Sequence, residues 1–396
     1  MRGRLRRILI ALLILAGVAA LIYHSRHKVR LADFTWHRFI ESVSQANVPL
    51  LVVCLVGIYA CYAIRAVRWQ RFCKYFGPTT FGNIYAGTLI GFASIFVLGR
   101  AGEPVRPLIL ARKDKLPVAS QFGIYFLERF CDFSAAAVLA CLALVVFPSR
   151  LSDAGADMNW VESHSSAGWL LLAGTIGLIS LLAIYRLHGA AIVDRMLARW
   201  HDAGGFRSRF AGGIAGVSEG LQAIRTVSDL GNAVFYTAAH WTLVTLIYLG
   251  VVNAFPADFP KTQMNFWSAM LLLAITLVGS VLQLPGVGGG PQFASFVCLT
   301  QIFGVPPEPA VAIAMVLWIV TFAGVVVVGI PLLIHEGVSL GELRNLARAE
   351  QEAEEAGKHA SVNGANGANG KNAENGADGA PRRSTDKENF RGDSPR

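Results

Sequence analysis

Two short stretches carry charge inside otherwise apolar sequence. The first, FVLGRAGEPVRPLILARK at 96–113, sets Arg100, Glu103 and Arg106 among Gly99, Gly102, Pro104 and Pro107. An acid between two arginines stays ionised and leaves net positive charge, and a guanidinium fork matches a phosphate. The pattern points to an anion site, with a phosphate held by Arg100 and Arg106. The alternative is a cytoplasmic loop whose arginines snorkel to the membrane surface. The second stretch, GIYFLERFCDFSAAAVLACLALVV at 123–146, puts Glu128 and Asp132 one helical turn apart on one face. Arg129 reaches Asp132 at i+3. Each such charge costs roughly 2.5–3.5 kcal/mol at the centre of a bilayer. A polar membrane cluster of Glu128, Arg129 and Asp132, facing the 99–107 turn, is the functional expectation; helix-anchoring ion pairs are the alternative.

A third stretch, LPGVGGGPQ at 284–292, contains Pro285, Gly286, Gly288, Gly289, Gly290, Pro291 and Gln292. Consecutive glycines between prolines cannot continue a helix. A nucleotide loop would need a preceding strand and a lysine or a GxGxxG pattern, which this stretch lacks. Its amides can still form an anion nest, with Gln292 as the one polar side chain. His240 is expected to be a packed core histidine. Arg65, Arg68 and Trp69, near a helix end, read as an interfacial belt. The sequence has no DxD, no histidine cluster and no nucleophile elbow. No catalytic residue, metal site or cofactor is therefore expected. If the chain were an enzyme, Glu103, Glu128 and Asp132 would have to supply its carboxylates.

These stretches are positioned by a membrane chain. Of 396 residues, 54% are hydrophobic and only 15% charged, against about 25% charged in a soluble domain. The mean hydropathy is +0.47. Apolar runs of roughly the 20 residues that cross a bilayer recur, at 8–23, 48–64, 81–99, 119–147, 168–187, 230–254, 266–284 and 309–334. The six cysteines lie in or beside these runs and read as small buried hydrophobes. The net charge of +9 fits cytoplasmic loops and anionic lipid, and nucleic acid is not expected as a partner. The run at 8–23 reads as an uncleaved first helix rather than a secretory signal. The stretch 187–229 is amphipathic and suits the membrane surface. The Gly/Asn-rich end is expected to be a disordered tail.

Charge placement sets the topology. The basic N-terminus, Arg65–Lys74, 111–117 and 186–229 suit the cytoplasm, whereas Asp153, Asp157 and Glu162 suit the outside. Both ends of 81–110 then face the cytoplasm, and both ends of 266–304 face outside. The expected fold is an all-α polytopic membrane protein with about six full transmembrane helices and two re-entrant or broken hairpins of opposite orientation. Eight transmembrane helices are the alternative. Interrupted elements of opposite orientation point to an inverted repeat around a central site. The expected organisation is an N-terminal helix and loop (1–47), a transmembrane domain (48–335) and a cytoplasmic tail (336–396).

The order of RAVRWQRF, GRAGEPVRP, ERFCD and PGVGGG resembles the flippase-like transmembrane domain of lysylphosphatidylglycerol synthases, over roughly 48–335. That domain also occurs alone, in uncharacterised bacterial and archaeal membrane proteins. The resemblance implies a multi-pass plasma-membrane protein, with N-terminus and tail cytoplasmic, that translocates anionic phospholipid or a lipid-linked sugar between leaflets. It carries over Arg68, Arg100, Gly102, Glu103, Arg106, Glu128, Arg129, Asp132, Pro285 and Gly286. Two features depart from the family. Its glycine loop usually ends near an acid, where this chain has Gln292. The soluble aminoacyl-transferase domain is missing, so lysyl transfer is not expected. The expected partners are membrane phospholipid and a membrane enzyme; in the alternative reading the chain is itself a membrane enzyme, or an accessory subunit, acting on a lipid-linked substrate by glycosyl or phosphoryl transfer.

Overall fold

Helices start where side chains can accept from free backbone amides. The computed structural model describes residues 34–188, 223–256, 264–280, 283–284 and 288–336. In it, α1 (Trp36–Ser44) precedes α2 (Val48–Cys73), whose cap Asn47 accepts from the Leu50 amide. Thr80 caps α3 (Phe81–Leu98), which ends in a tight turn at Gly99–Gly102 before the short α4 (Val105–Lys113). α5 (Val118–Cys141) runs on as a π-turn to Val146 and is followed by α6 (Pro148–Asp153) and α7 (Met158–His188). Reciprocal caps, Thr226 with Asp229 and Asn265 with Ser268, open α8 (Val227–Asn253) and α9 (Phe266–Gly279). A two-residue ribbon pairs β1 (Gln283–Leu284) with β2 (Gly288–Gly289). Then come α10 (Gly290–Val297), α11 (Pro307–Thr321) and α12 (Val326–His335). The expected helix at 8–23, most of the amphipathic stretch, Gly286 and the tail beyond 336 lie outside the described residues.

Contacts between distant segments define two ends. At one, Lys74 and Tyr75 meet Asp229, and Lys113 meets Glu336. At the other, the Asn47 amide donates to Ala254, the Asp157 amide to Ile302, and the Asn265 side chain to the Arg150 carbonyl. α2 runs from the second end to the first. α5 and α8 run the opposite way.

Between these ends lie two hairpins pointing in opposite directions. The first is α3 and α4. Asn83 donates to Asp114 at 2.6 Å where the hairpin opens, at the Lys74 end. Farther in, a side-chain carbon at Gly87 would fall 2.6 Å from Leu110, and one at Gly91 would fall 2.6 Å from Arg106. At the tip, one at Gly102 would overlap the Ser94 carbonyl. The second hairpin is α9 and α10, opening at the Asn265 end. Thr276 and Ser295 share a hydrogen bond at 2.7 Å, and Gly279 sits directly against Gly290 and Ala294. The strand β1 at this tip touches the Gly99–Gly102 turn, so the tips meet inside the protein. At 1.5 Å per residue, the return leg α4 is about 14 Å long, and α10, which runs on as a π-turn to Ile302, is roughly 20 Å long. Both are short of the roughly 30 Å hydrocarbon core. This is the all-α polytopic architecture with two opposed broken hairpins expected from the charge pattern. Among the described residues, α2, α3, α5 with its π-turn, α8 and the joined α11–α12 are long and apolar enough to cross a membrane.

The α11–α12 span breaks at Phe322, whose backbone leaves the helical region. The break frees carbonyls that lipid cannot satisfy. Two α2 tyrosines meet the need: Tyr62 donates to the Thr321 carbonyl at 3.1 Å, and Tyr59 donates to that of Gly324 at 2.7 Å.

Candidate functional site

The charges singled out in α5 meet arginines from two other elements. The Arg65 guanidinium contacts Glu128 and lies 2.7 Å from Asp132. Arg68 lies 2.9 Å from Asp132 and 3.2 Å from Glu128, and donates to Thr237 at 2.8 Å. Arg106 comes from α4, and one of its terminal nitrogens bonds both Glu128 oxygens at 2.9 and 3.1 Å. Its plane stacks on Trp69, 4.2 Å from the ring centroid. Trp69 in turn donates to the buried Gln121 at 3.0 Å. Arg129 is held more loosely, 3.5 Å from Asp132 and 4.0 Å from Glu128, beside the Tyr125 ring. Arg68 and Glu128 are each only 1% exposed.

Packing explains why the chain folds this way. A buried charge left alone is strongly unfavourable, so each carboxylate must be surrounded by cations. Glu128 and Asp132 share a face of α5, Arg65 and Arg68 share a face of α2, and the two faces are pressed together. Gly91, lacking a side chain, lets the stem of Arg106 pass close to α3. Among the described side chains, four guanidinium groups face Glu128 and Asp132. Glu103, which accepts from the Tyr125 hydroxyl, adds a third carboxylate. Among these described side chains, four guanidiniums against three carboxylates leave one positive charge in excess.

This cluster forms one end of a cavity of about 680 Å³. Arg65, Glu103, Arg129, Asp132 and His240 line the polar end. The rest of the wall is mainly apolar and aromatic, with Tyr62, Phe92, Trp241, Trp318 and Phe322. His240 is buried with Nε2 3.2 Å from Arg65. Arginine only donates, so His240 accepts there and carries its proton on Nδ1.

The residues singled out in the sequence fall into three groups. Glu128, Arg129, Asp132, Arg68 and Arg106 are brought together, and Glu103 joins them through Tyr125 and the cavity wall. Gly288, Gly289 and Gly290 form the second hairpin's tip, with Gln292 one turn into α10. Gln292 and the Trp318 indole crowd Gly288, whose φ of +83° only glycine adopts easily. The Arg100 side chain and Gly286 lie outside the described residues. Two readings need correction. Arg65, Arg68 and Trp69 are buried at the centre of the cluster and do not form an interfacial belt. The counter-charge of Arg106 is Glu128, because α4 carries that side chain away from the turn and onto Trp69 and α5. Sequence reasoning misassigned Arg65 and missed Tyr125, Thr237 and Gln121. A signal for Arg65 was present in its i,i+3 spacing from Arg68, which puts the two on one helix face, as i,i+4 does for the acidic pair of α5.

Comparison with known proteins agrees with this architecture. The family model described as the lysylphosphatidylglycerol synthase TM region matches residues 8–329. A UPF0104 membrane protein of Methanothermobacter thermautotrophicus is 26% identical over 306 residues, covering 73% of this chain and 85% of that protein. The Glycosyltransferase AglD of Haloferax volcanii is 23% identical over 319 residues, covering 74% of this chain and 50% of that relative. The chain thus spans about half the length of AglD.

Proposed function

Because the chain belongs to the lysylphosphatidylglycerol synthase transmembrane-region family, we propose that it holds the phosphate of an anionic membrane lipid in this cavity and moves the lipid between leaflets. The observation that carries this reading is the placement of excess arginine charge at one end of an apolar cavity within the membrane-spanning bundle. Arg65 and Arg68 are committed to tight pairs with Glu128 and Asp132. Among the described residues, Arg129, at 3.5 Å from its nearest ion-pair partner and lining the cavity, is the cation of the cluster most available to a ligand. The ion pairs then have a second role. They keep the arginines charged and oriented before a lipid arrives, so the phosphate meets a preorganised site. We place the protein in the plasma membrane with its N-terminus and tail cytoplasmic, on the strength of the basic segments. It needs no cofactor in this role and does not act as an enzyme.

A second reading is favoured by the AglD match, in which a protein that carries the name of a glycosyltransferase is covered over half its length. In it, the chain is a membrane unit serving an enzyme that acts on a lipid-linked sugar. The two Arg-bound carboxylates, Glu128 and Asp132, are engaged as counter-ions, which supports translocation over catalysis by this chain itself.

The test is exchange of fluorescent phosphatidylglycerol between leaflets of proteoliposomes containing the purified full chain. A desolvated charge-assisted hydrogen bond contributes about 1.5–3 kcal/mol. Arg129→Gln should therefore slow exchange on the order of 10- to 100-fold, and Arg129→Lys should retain part of the rate. Wild-type exchange in Arg129→Gln would sink the headgroup site. Covalent change of the lipid would favour the enzymatic reading.

A further inference from the structure

The cavity has a side wall that is also the outer surface of the bundle. Phe133 of α5, Leu170 of α7 and Val278 of α9 all line it, yet they are 69%, 73% and 74% exposed. Gly168 seats α7 against Cys141, Leu144 and Val145 of α5. Between that contact and Phe133, α5 presents the small side chains of Ser134, Ala136, Ala137 and Ala140 to the cavity. Gly174, one turn beyond Leu170, also lines the cavity, and a side-chain carbon there would meet nothing within 4 Å. The outward residues of these helices are apolar, so the open side faces hydrocarbon.

From this geometry we propose that the gap framed by Phe133, Leu170, Gly174 and Val278 is a lateral portal. Through it an anionic lipid enters headgroup first, and its acyl chains remain threaded into the bilayer while the phosphate reaches Arg129. The inference rests on the headgroup reading above and sharpens it. The ligand must be an amphiphile with at least one long hydrocarbon chain. The same phosphate on a water-soluble molecule has no apolar body to fill the wall from Phe133 to Val278.

Two measurements on the full chain in vesicles of phosphatidylglycerol and phosphatidylcholine test this. In the first, phosphatidylglycerol with a photoreactive diazirine in its acyl chain is crosslinked, and the adducts are mapped by peptide mass spectrometry. Adducts at residues 133, 170–175 and 278, competed by unlabelled phosphatidylglycerol and not by glycerol 3-phosphate, support the portal. Adducts spread evenly over outward-facing residues, or competition by glycerol 3-phosphate, overturn it. In the second, exchange is measured for Gly174→Trp, which sets a bulky side chain at the opening, where an added Cβ meets nothing within 4 Å. The control is Ile176→Trp, also exposed on α7 but not lining the cavity. Gly174→Trp should slow exchange at least tenfold, with Ile176→Trp near wild type. Equal rates in the two variants overturn the portal and leave translocation standing. Portal adducts in a wild-type protein that exchanges no lipid would support the lipid entrance while sinking translocation.

Discussion

The two hairpins share one architecture and differ in what fills it. Each has two legs and a tip at depth, and each relies on glycine where the legs touch. The first carries Arg106 on its return leg and Glu103 at its tip, and binds its surroundings through charge. The second offers a Thr276–Ser295 hydroxyl pair, three glycines and Gln292. An inverted pair thus need not be chemically symmetric. The backbone device of satisfying a broken helix inside the protein is used twice, whereas the ion cluster is tied to one hairpin only. In this molecule the second hairpin shapes the cavity and the first charges it.

Breaking the ion cluster should have the largest effect. Glu128→Ala removes the carboxylate shared by Arg65, Arg68 and Arg106 and leaves buried cations under-compensated. It should lower stability by about 3–5 kcal/mol, seen as a large fall in the thermal midpoint of detergent-extracted protein. A small fall would mean that water reaches the cluster freely and that the first hairpin is held by packing alone. Next come the close contacts common to both hairpins. Gly102→Ala and Gly279→Ala each drive a methyl group into backbone and should each destabilise by about 1–3 kcal/mol. Similar losses would confirm that the two hairpins are equivalent as backbone. A loss confined to Gly102→Ala would show the second hairpin to be loosely packed. The smallest effect should come from Ser295→Ala, which removes its neutral hydrogen bond to Thr276, contributing about 0.5–1.5 kcal/mol. In the same melting assay, an effect as large as that of Glu128→Ala would erase the chemical contrast between the hairpins.

Much of this arrangement was legible before any coordinates. The hairpins could be read because charge at both ends of 81–110 left only one long apolar run between them. The pairing of Glu128 with Asp132 followed from helical spacing. The other half of the cluster was hidden by its neighbours. Arg71 and Lys74 follow Arg65 and Arg68 at the same helix end and are exposed, so charge counting gives all four a single environment. Only the partner helix decides which face of α2 turns inward. Arg106 was hidden differently. Its nearest acid in the sequence is Glu103, but its partner Glu128 is 22 residues away, across a turn whose geometry the local sequence does not encode. A central site was expected from the opposed hairpins, but the walls of the cavity could not be read, because they come from helices far apart in the chain.

The sharing of charge between α2 and α5 also bears on how the chain is assembled during synthesis. α5 emerges with Glu128, Arg129 and Asp132 in its apolar span, each opposing entry into lipid by roughly 2.5–3.5 kcal/mol when alone and central. Its compensating arginines are already made, because Arg65 and Arg68 precede it in the chain. The ribosome thus delivers the counter-ions first, and α5 can leave the insertion machinery as one half of a neutralised pair. In a translocon assay, α5 presented as an isolated segment should insert poorly. The stretch from α2 through α5 should insert efficiently, and Arg65→Ala with Arg68→Ala should abolish that gain.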